Sequence, residues 1–161
     1  MPFAPQEIRT YFITSVTANR RRLFQIEQNS LLFINHLNDQ RTKGRLHLHA
    51  FVVMPDHIHL LLTPSPEISL EKSMQFIKGG FSFLLKSKLD IWQKTYDSRR
   101  MQDASDFATH VAYIHQNPIR KNLALQPEFY SIQLSQPYPH HRPSPTPLHP
   151  LAVDVGIRVG L

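Results

Sequence analysis

The chain has 161 residues, 41% of them hydrophobic, with 18 Lys+Arg against 12 Asp+Glu and no cysteine. That length holds one domain with a real core, and the missing thiols exclude disulfides, thiolate metal sites and cysteine nucleophiles. A formal charge of +6 and a pI near 9.8 point to an anionic partner, most commonly nucleic acid. No window approaches the roughly 18 to 20 consecutive apolar residues of a bilayer span. Met1-Pro-Phe-Ala-Pro5 leads into charged residues rather than an apolar signal core, so a cytoplasmic protein is expected.

Taken in order, residues 1 to 8 form a loose lead-in, and Thr10–Thr17 reads as a central strand, rich in β-branched and aromatic residues. A helix is expected from Asn29, as N-cap, to Leu37, burying Leu32 or Phe33 with Leu37. Arg45–Val53 and His57–Thr63 read as a strand pair joined by the turn Met54-Pro55-Asp56. Ser69 caps a second helix that runs toward Lys88 on a stripe of Leu70, Met74, Ile77 and Phe81, which Gly79-Gly80 interrupts. Ile91–Tyr96 is expected as the fourth strand, and a third helix from about Asp103 to Gln116 halts before Pro118. The order β-α-β-β-α-β predicts an α+β, ferredoxin-like antiparallel sheet with helices on one face and a further C-terminal helix. Residues 1–135 form the expected single domain, and 136–161 a proline-rich tail without apolar period.

The chemistry gathers at two places. His57 and His59 alternate with Ile58, so on a strand both imidazoles share one face. Alone, such a pair is more readily two surface histidines than half a metal site. On the third helix, Tyr113 and Asn117 are four residues apart and share a side, with His110 one turn earlier and Gln116 adjacent. Read without context, Tyr113 is a half-buried aromatic and Asn117 a helix C-cap. Set beside the two imidazoles, an amide oxygen completes a donor set able to hold a divalent cation. A tyrosine of pKa about 10 attacks phosphorus only where cations stabilise its phenolate. The phosphotyrosyl bond so formed keeps the energy of the diester, which strand transfer needs and hydrolysis does not.

Met54-Pro-Asp-His-Ile-His-Leu-Leu-Leu62, Ile91-Trp-Gln93 and Tyr113-Ile-His-Gln-Asn-Pro118 resemble the single-tyrosine transposases of the HUH superfamily, the IS200/IS605 group, and within it the REP-associated tyrosine transposases. The likeness runs from about Tyr11 to Ser131. It implies Tyr113 as the nucleophile, a metal site of His57, His59 and Asn117, Mg²⁺ or Mn²⁺, hairpin-bearing single-stranded DNA, and a 5′-phosphotyrosine intermediate. Arg20, Arg21, Arg22, Lys78, Arg99, Arg100, Arg120 and Lys121 are then candidate DNA contacts, and His49, His110 and Gln116 candidate neighbours of the site. His47 and His49 read as sheet-surface residues, and Trp92 as a core anchor or a platform for a flipped base. Location at the nucleoid of a prokaryotic cytoplasm, as monomer or homodimer, goes with this reading. Two rivals stand beside it: a catalytically silent hairpin-binding protein, and a metal-dependent phosphoesterase, for which Asp56 is the only carboxylate beside the pair.

Overall fold

The computed structural model describes residues 8–120, and side chains as far as Gln116. Four strands, β1 (Tyr11–Val16), β2 (Leu46–Met54), β3 (His57–Pro64) and β4 (Asp97–Arg100), alternate with three helices, α1 (Glu27–Thr42), α2 (Leu70–Leu85) and α3 (Ala104–Arg120). The sheet order is β2-β3-β1-β4, and every pair is antiparallel. This is the ferredoxin-like order that the element sequence predicts. The boundary expected at residue 135 and the proline-rich tail lie outside the described residues.

Alternation along the strands builds two apolar layers. Ile13, Ile58, Leu60 and Leu62 point to one face, where they pack with Phe33, Leu37, Met74, Ile77 and Phe81 of α1 and α2. On the other face Phe12, Ala50, Val52 and Leu61 meet Phe107, Val111 and Ile114 of α3. The tyrosine-bearing helix therefore covers the face opposite α1 and α2, and β1 is a central strand clad on both sides. Only this second face carries the chemistry, because residues 57 and 59 share the parity of Leu61.

In β2 the register slips between Leu48 and Ala50, so His49 is the extra residue of a β-bulge. Before the bulge Leu46 and Leu48 face α1 and α2; after it Phe51 and Val53 do. One added residue thus keeps both ends of a nine-residue strand in the same core.

Four expectations about element ends need correction. Helix α1 starts at Glu27 with Ile26 at its N-cap; the Asn29 amide instead donates to the Leu23 carbonyl at 2.8 Å, tying the helix to the 3₁₀ turn Leu23–Gln25. It also continues to Thr42 rather than ending at Leu37. The fourth strand is Asp97–Arg100, not Ile91–Tyr96. Trp92 makes only an isolated bridge with Thr17; its ring packs with Phe24, Phe33 and Phe81 and its indole N–H donates to the Lys78 carbonyl at 3.2 Å. Core packing, not sheet pairing, claims that segment. Finally α3 continues through Pro118 as far as Arg120, the last residue described; a proline forfeits one backbone bond, and here the helix goes on past it.

Ser69 caps α2 as expected, its hydroxyl accepting from the Lys72 amide at 3.1 Å. The helix passes through Gly79-Gly80 unbroken. At Gly80 a Cβ would lie 2.4 Å from Cε1 of His36, whose Nε2 sits 2.9 Å from the Phe76 carbonyl. The glycine is the space into which α1's buried imidazole fits.

Candidate active site

The turn Pro55-Asp56 is held from outside. The Thr17 amide donates to the Asp56 carbonyl at 2.9 Å, and the Phe24 amide to the Pro55 carbonyl at 3.0 Å. With the backbone fixed, the Asp56 carboxylate reaches Nδ1 of His57 at 2.7 Å and Nη1 of Arg20 at 3.5 Å. Burial pushes the Asp56 carboxyl up, but the His57 hydrogen bond and the charges of His57 and Arg20 outweigh it, leaving the group below its ordinary value. Its negative charge is thus secured beside the imidazole.

His59 is more deeply set, at 5% exposure. Its register partner on β1 is Thr14, and Nδ1 lies 2.9 Å from the Thr14 hydroxyl. The two histidine rings are 4.9 Å apart between centroids. Tyr113 comes down from α3 with its ring 5.4 Å from that of His59 at 76°. Phe12 lies among them, stacked on His59 at 5.3 Å and 18°. The structure therefore brings His57, His59 and Tyr113 together on one face.

The remaining candidates are placed unevenly. His110 joins the cluster through Phe12, with centroids 4.8 Å apart, and its Nδ1 lies 2.8 Å from the Asp106 carbonyl. Gln116 is exposed. The side chains of Asn117 and Arg120, and all of Lys121, lie outside the described residues. Arg20 and Arg99 present side chains 68% and 69% exposed, the latter on β4 beside Phe12 and so on the histidine face. Arg21 donates to the Asp90 carbonyl, and Arg22 to the Gln25 amide oxygen at 3.1 Å. Arg100 alternates with Arg99 and belongs to the opposite face. So does α2's Lys78, whose amine donates to the Gln93 carbonyl at 3.0 Å.

His49, on β2, sits apart: the Thr63 it meets is four residues along β3 from His59, or about 13 Å at the strand rise. Nε2 of His49 lies 2.7 Å from the Thr63 hydroxyl, which in turn meets Thr10 at 2.6 Å, and its Nδ1 is buried without a hydrogen-bond partner. Burial and the neighbouring His47 pull its pKa down from 6.5 to about 3. The folded pKa lies below the unfolded one, so this stability is complete above pH 6.5 and is lost as pH falls toward 3. Between these limits the slope approaches about 1.4 kcal/mol per pH unit, or about 2 kcal/mol by pH 5. Urea melts of the wild type and His49→Gln at pH 7 and pH 5 should show that much less acid sensitivity in the variant. Equal sensitivity would contradict a neutral His49 in the folded chain.

Sequence reasoning missed Thr14 and Phe12, and for Asp56, read as a turn residue and as the only carboxylate beside the pair, it missed the bond that orients His57. The signals were present, since Asp56 adjoins His57 and Phe12 and Thr14 alternate on one strand. What the sequence lacked was the register that sets β1 against β3.

An antiparallel α+β sheet that holds a His-hydrophobic-His pair against a helix-borne tyrosine is the layout of HUH single-tyrosine transposases. Residues 8–117 match the family model described as "Transposase IS200 like", and the chain belongs to that family. It is 28% identical over 112 residues to a REP-associated tyrosine transposase of Escherichia coli (strain K12), covering 69% of this chain and 67% of that protein. It is 27% identical over 85 residues to a Haemophilus influenzae protein provisionally assigned the same name, covering 44% of this chain and 48% of that one. In fold it is similar to a REP-associated tyrosine transposase solved bound to a REP hairpin, with TM-score 0.67, 23% identity, and 96% and 92% of the two chains covered. A provisionally assigned transposase from Deinococcus radiodurans gives TM-score 0.52 at 22% identity, covering 72% of this chain and 95% of that one. Membership of the family implies an enzyme that cleaves DNA. No helix of the described residues is long and apolar enough to cross a membrane.

Proposed function

We propose that this chain cleaves and rejoins single-stranded DNA at hairpin-flanked sites, with Tyr113 as nucleophile and His57, His59 and Asn117 holding Mg²⁺ or Mn²⁺. The observation that carries the reading is the packing of Tyr113 against His59, 5.4 Å between ring centroids, on the face that also holds His57. Hairpin DNA as the partner rests on the relative solved with a REP hairpin and on the +6 charge. Action on nucleoid DNA in a prokaryotic cytoplasm belongs to the same proposal.

The side chains present fit a divalent cation. Each histidine has Nδ1 engaged, by Asp56 in one case and Thr14 in the other, so Nε2 is the nitrogen through which both would hold a metal. An imidazole oriented through its second nitrogen is the usual condition of a metal-binding histidine. Among the described residues no group of three or more His, Asp or Glu side chains converges as a metal site. The further protein ligand in this proposal is Asn117, which, one turn beyond Tyr113 on the continuous helix α3, would supply an amide oxygen. When bound, the cation supplies Lewis-acid stabilisation of charge on the scissile phosphate.

The rest is the protein's own chemistry. Tyr113 Oη attacks the phosphorus and gives up its phenolic proton. The phosphorus–O3′ bond breaks, its electron pair leaves on O3′, and that oxygen takes a proton to become a 3′-hydroxyl. The 5′ side stays on the enzyme as a phosphotyrosine, and attack by a different 3′-hydroxyl reverses the step and completes transfer. Arg20 and Arg99, exposed beside the site, are placed to hold flanking phosphates.

The test incubates labelled hairpin DNA with single-stranded flanks, with and without Mg²⁺ or Mn²⁺, and reads a denaturing gel. A covalent protein–DNA adduct that requires the metal is the expected result. Metal-dependent cleavage with no adduct would instead establish a phosphoesterase, and tight binding with neither would establish a silent hairpin-binding protein.

A further inference from the structure

Resting on that reading, we propose that Phe12 is a positioning residue for the reaction: one ring that sets the plane of the His59 imidazole and the placement of the Tyr113 phenol together. Phe12 stands on β1, bonded to β3 on one side and β4 on the other, so its backbone has little freedom. From there its ring stacks on His59 at 5.3 Å and 18°, lies 4.8 Å from His110, and meets Tyr113 edge-on at 5.7 Å and 85°. His110 and Tyr113 are three residues apart, neighbours on one side of α3. The phenyl thus fills the space between the nucleophile's helix and a histidine of the metal pair.

Of the contacts to the His59 ring, two act on different degrees of freedom. The hydrogen bond between Nδ1 and the Thr14 hydroxyl, at 2.9 Å, fixes where one edge points but leaves the ring able to tilt about that line. The stacked phenyl removes the tilt, so the direction of Nε2 is defined. Tyr113 is held against the same phenyl, which makes the distance from nucleophile to ligand a property of one side chain. Leucine at this position would keep most of the volume and present no flat face to either partner. Orientation of reacting groups is worth large factors, and misplacement by about 1 Å can cost about 100-fold in rate.

The experiment compares full-length wild type, Phe12→Leu and Phe12→Tyr by thermal melting, hairpin affinity, single-turnover adduct formation, and Mn²⁺ titration by EPR without DNA. Phe12→Leu should weaken Mn²⁺ binding by about 10-fold, as changes to groups that orient metal ligands do, and slow adduct formation by about 10- to 100-fold. Hairpin affinity should stay within about twofold, and Phe12→Tyr, which keeps the ring, should recover Mn²⁺ binding and rate to within about threefold. Equal losses in the Tyr and Leu variants, or loss of hairpin affinity in step with rate, would overturn the proposal. If the wild type forms no adduct, the strand-transfer reading fails by itself and the Mn²⁺ titration still decides the role of Phe12. Unchanged Mn²⁺ affinity in Phe12→Leu then overturns it, and a loss restored by Phe12→Tyr sustains it.

Discussion

Tyr113→Phe should form no denaturant-stable adduct and lose single-turnover cleavage by about 10⁴-fold or more, the scale of losing a covalent nucleophile. The substitution removes one oxygen and little else. Tyr113 meets Phe12 and His59 through its ring, and phenylalanine keeps both contacts, so the variant should fold and keep hairpin affinity within about twofold of wild type. That combination separates chemistry from folding. Cleavage surviving in Tyr113→Phe at a comparable rate would mean that water, not tyrosine, attacks the phosphorus.

His59→Ala should be as damaging by a different route. It removes a metal-binding imidazole, so Mn²⁺ affinity in an EPR titration should fall by about 100-fold or more and adduct formation with it. It should also unfold more easily. His59 is 5% exposed, and its loss empties the space beside Phe12 and strips the Thr14 hydroxyl of its partner. A cavity and a stranded polar group together cost about 2 to 4 kcal/mol. His57→Ala makes the useful contrast. That side chain is 14% exposed at the rim, and Asp56 keeps its ion pair with Arg20, so Mn²⁺ binding should fall while a urea melt moves by about 1 kcal/mol or less. Undiminished Mn²⁺ affinity in His59→Ala would show that the pair is not the metal site.

Much of this was legible in the sequence because its strongest signals are local. The period-2 pattern of His57–Thr63 assigns both histidines to one face, and the structure keeps them there. The 3.6-residue stripe of Phe107, Val111 and Ile114 likewise sets which side of α3 is buried. What escaped was set by contacts distant in sequence. Ile91–Tyr96 has strand composition, yet Trp92 is drawn under α2 by Phe24, Phe33 and Phe81, and the short polar Asp97–Arg100 takes the edge of the sheet. Asn29 has the chemistry of an N-cap but spends its amide on Leu23. His49 looked like a neighbour of the site until the bulge and its bond to Thr63 placed it elsewhere. Spacing showed which faces the histidines and the tyrosine share, and the resemblance to single-tyrosine transposases implied their roles; the residues that orient them required the register of β1 on β3.

The most direct test of the central claim is where the DNA becomes attached. Trypsin should release Met101–Arg120 as one peptide, and Tyr113 is the only tyrosine in it, out of five in the chain. After reaction with hairpin DNA and nuclease trimming, mass spectrometry should find that peptide carrying a nucleotide through its 5′-phosphate. A nucleotide on any other tyrosine, or cleaved DNA with every peptide unmodified, would contradict Tyr113 as the nucleophile.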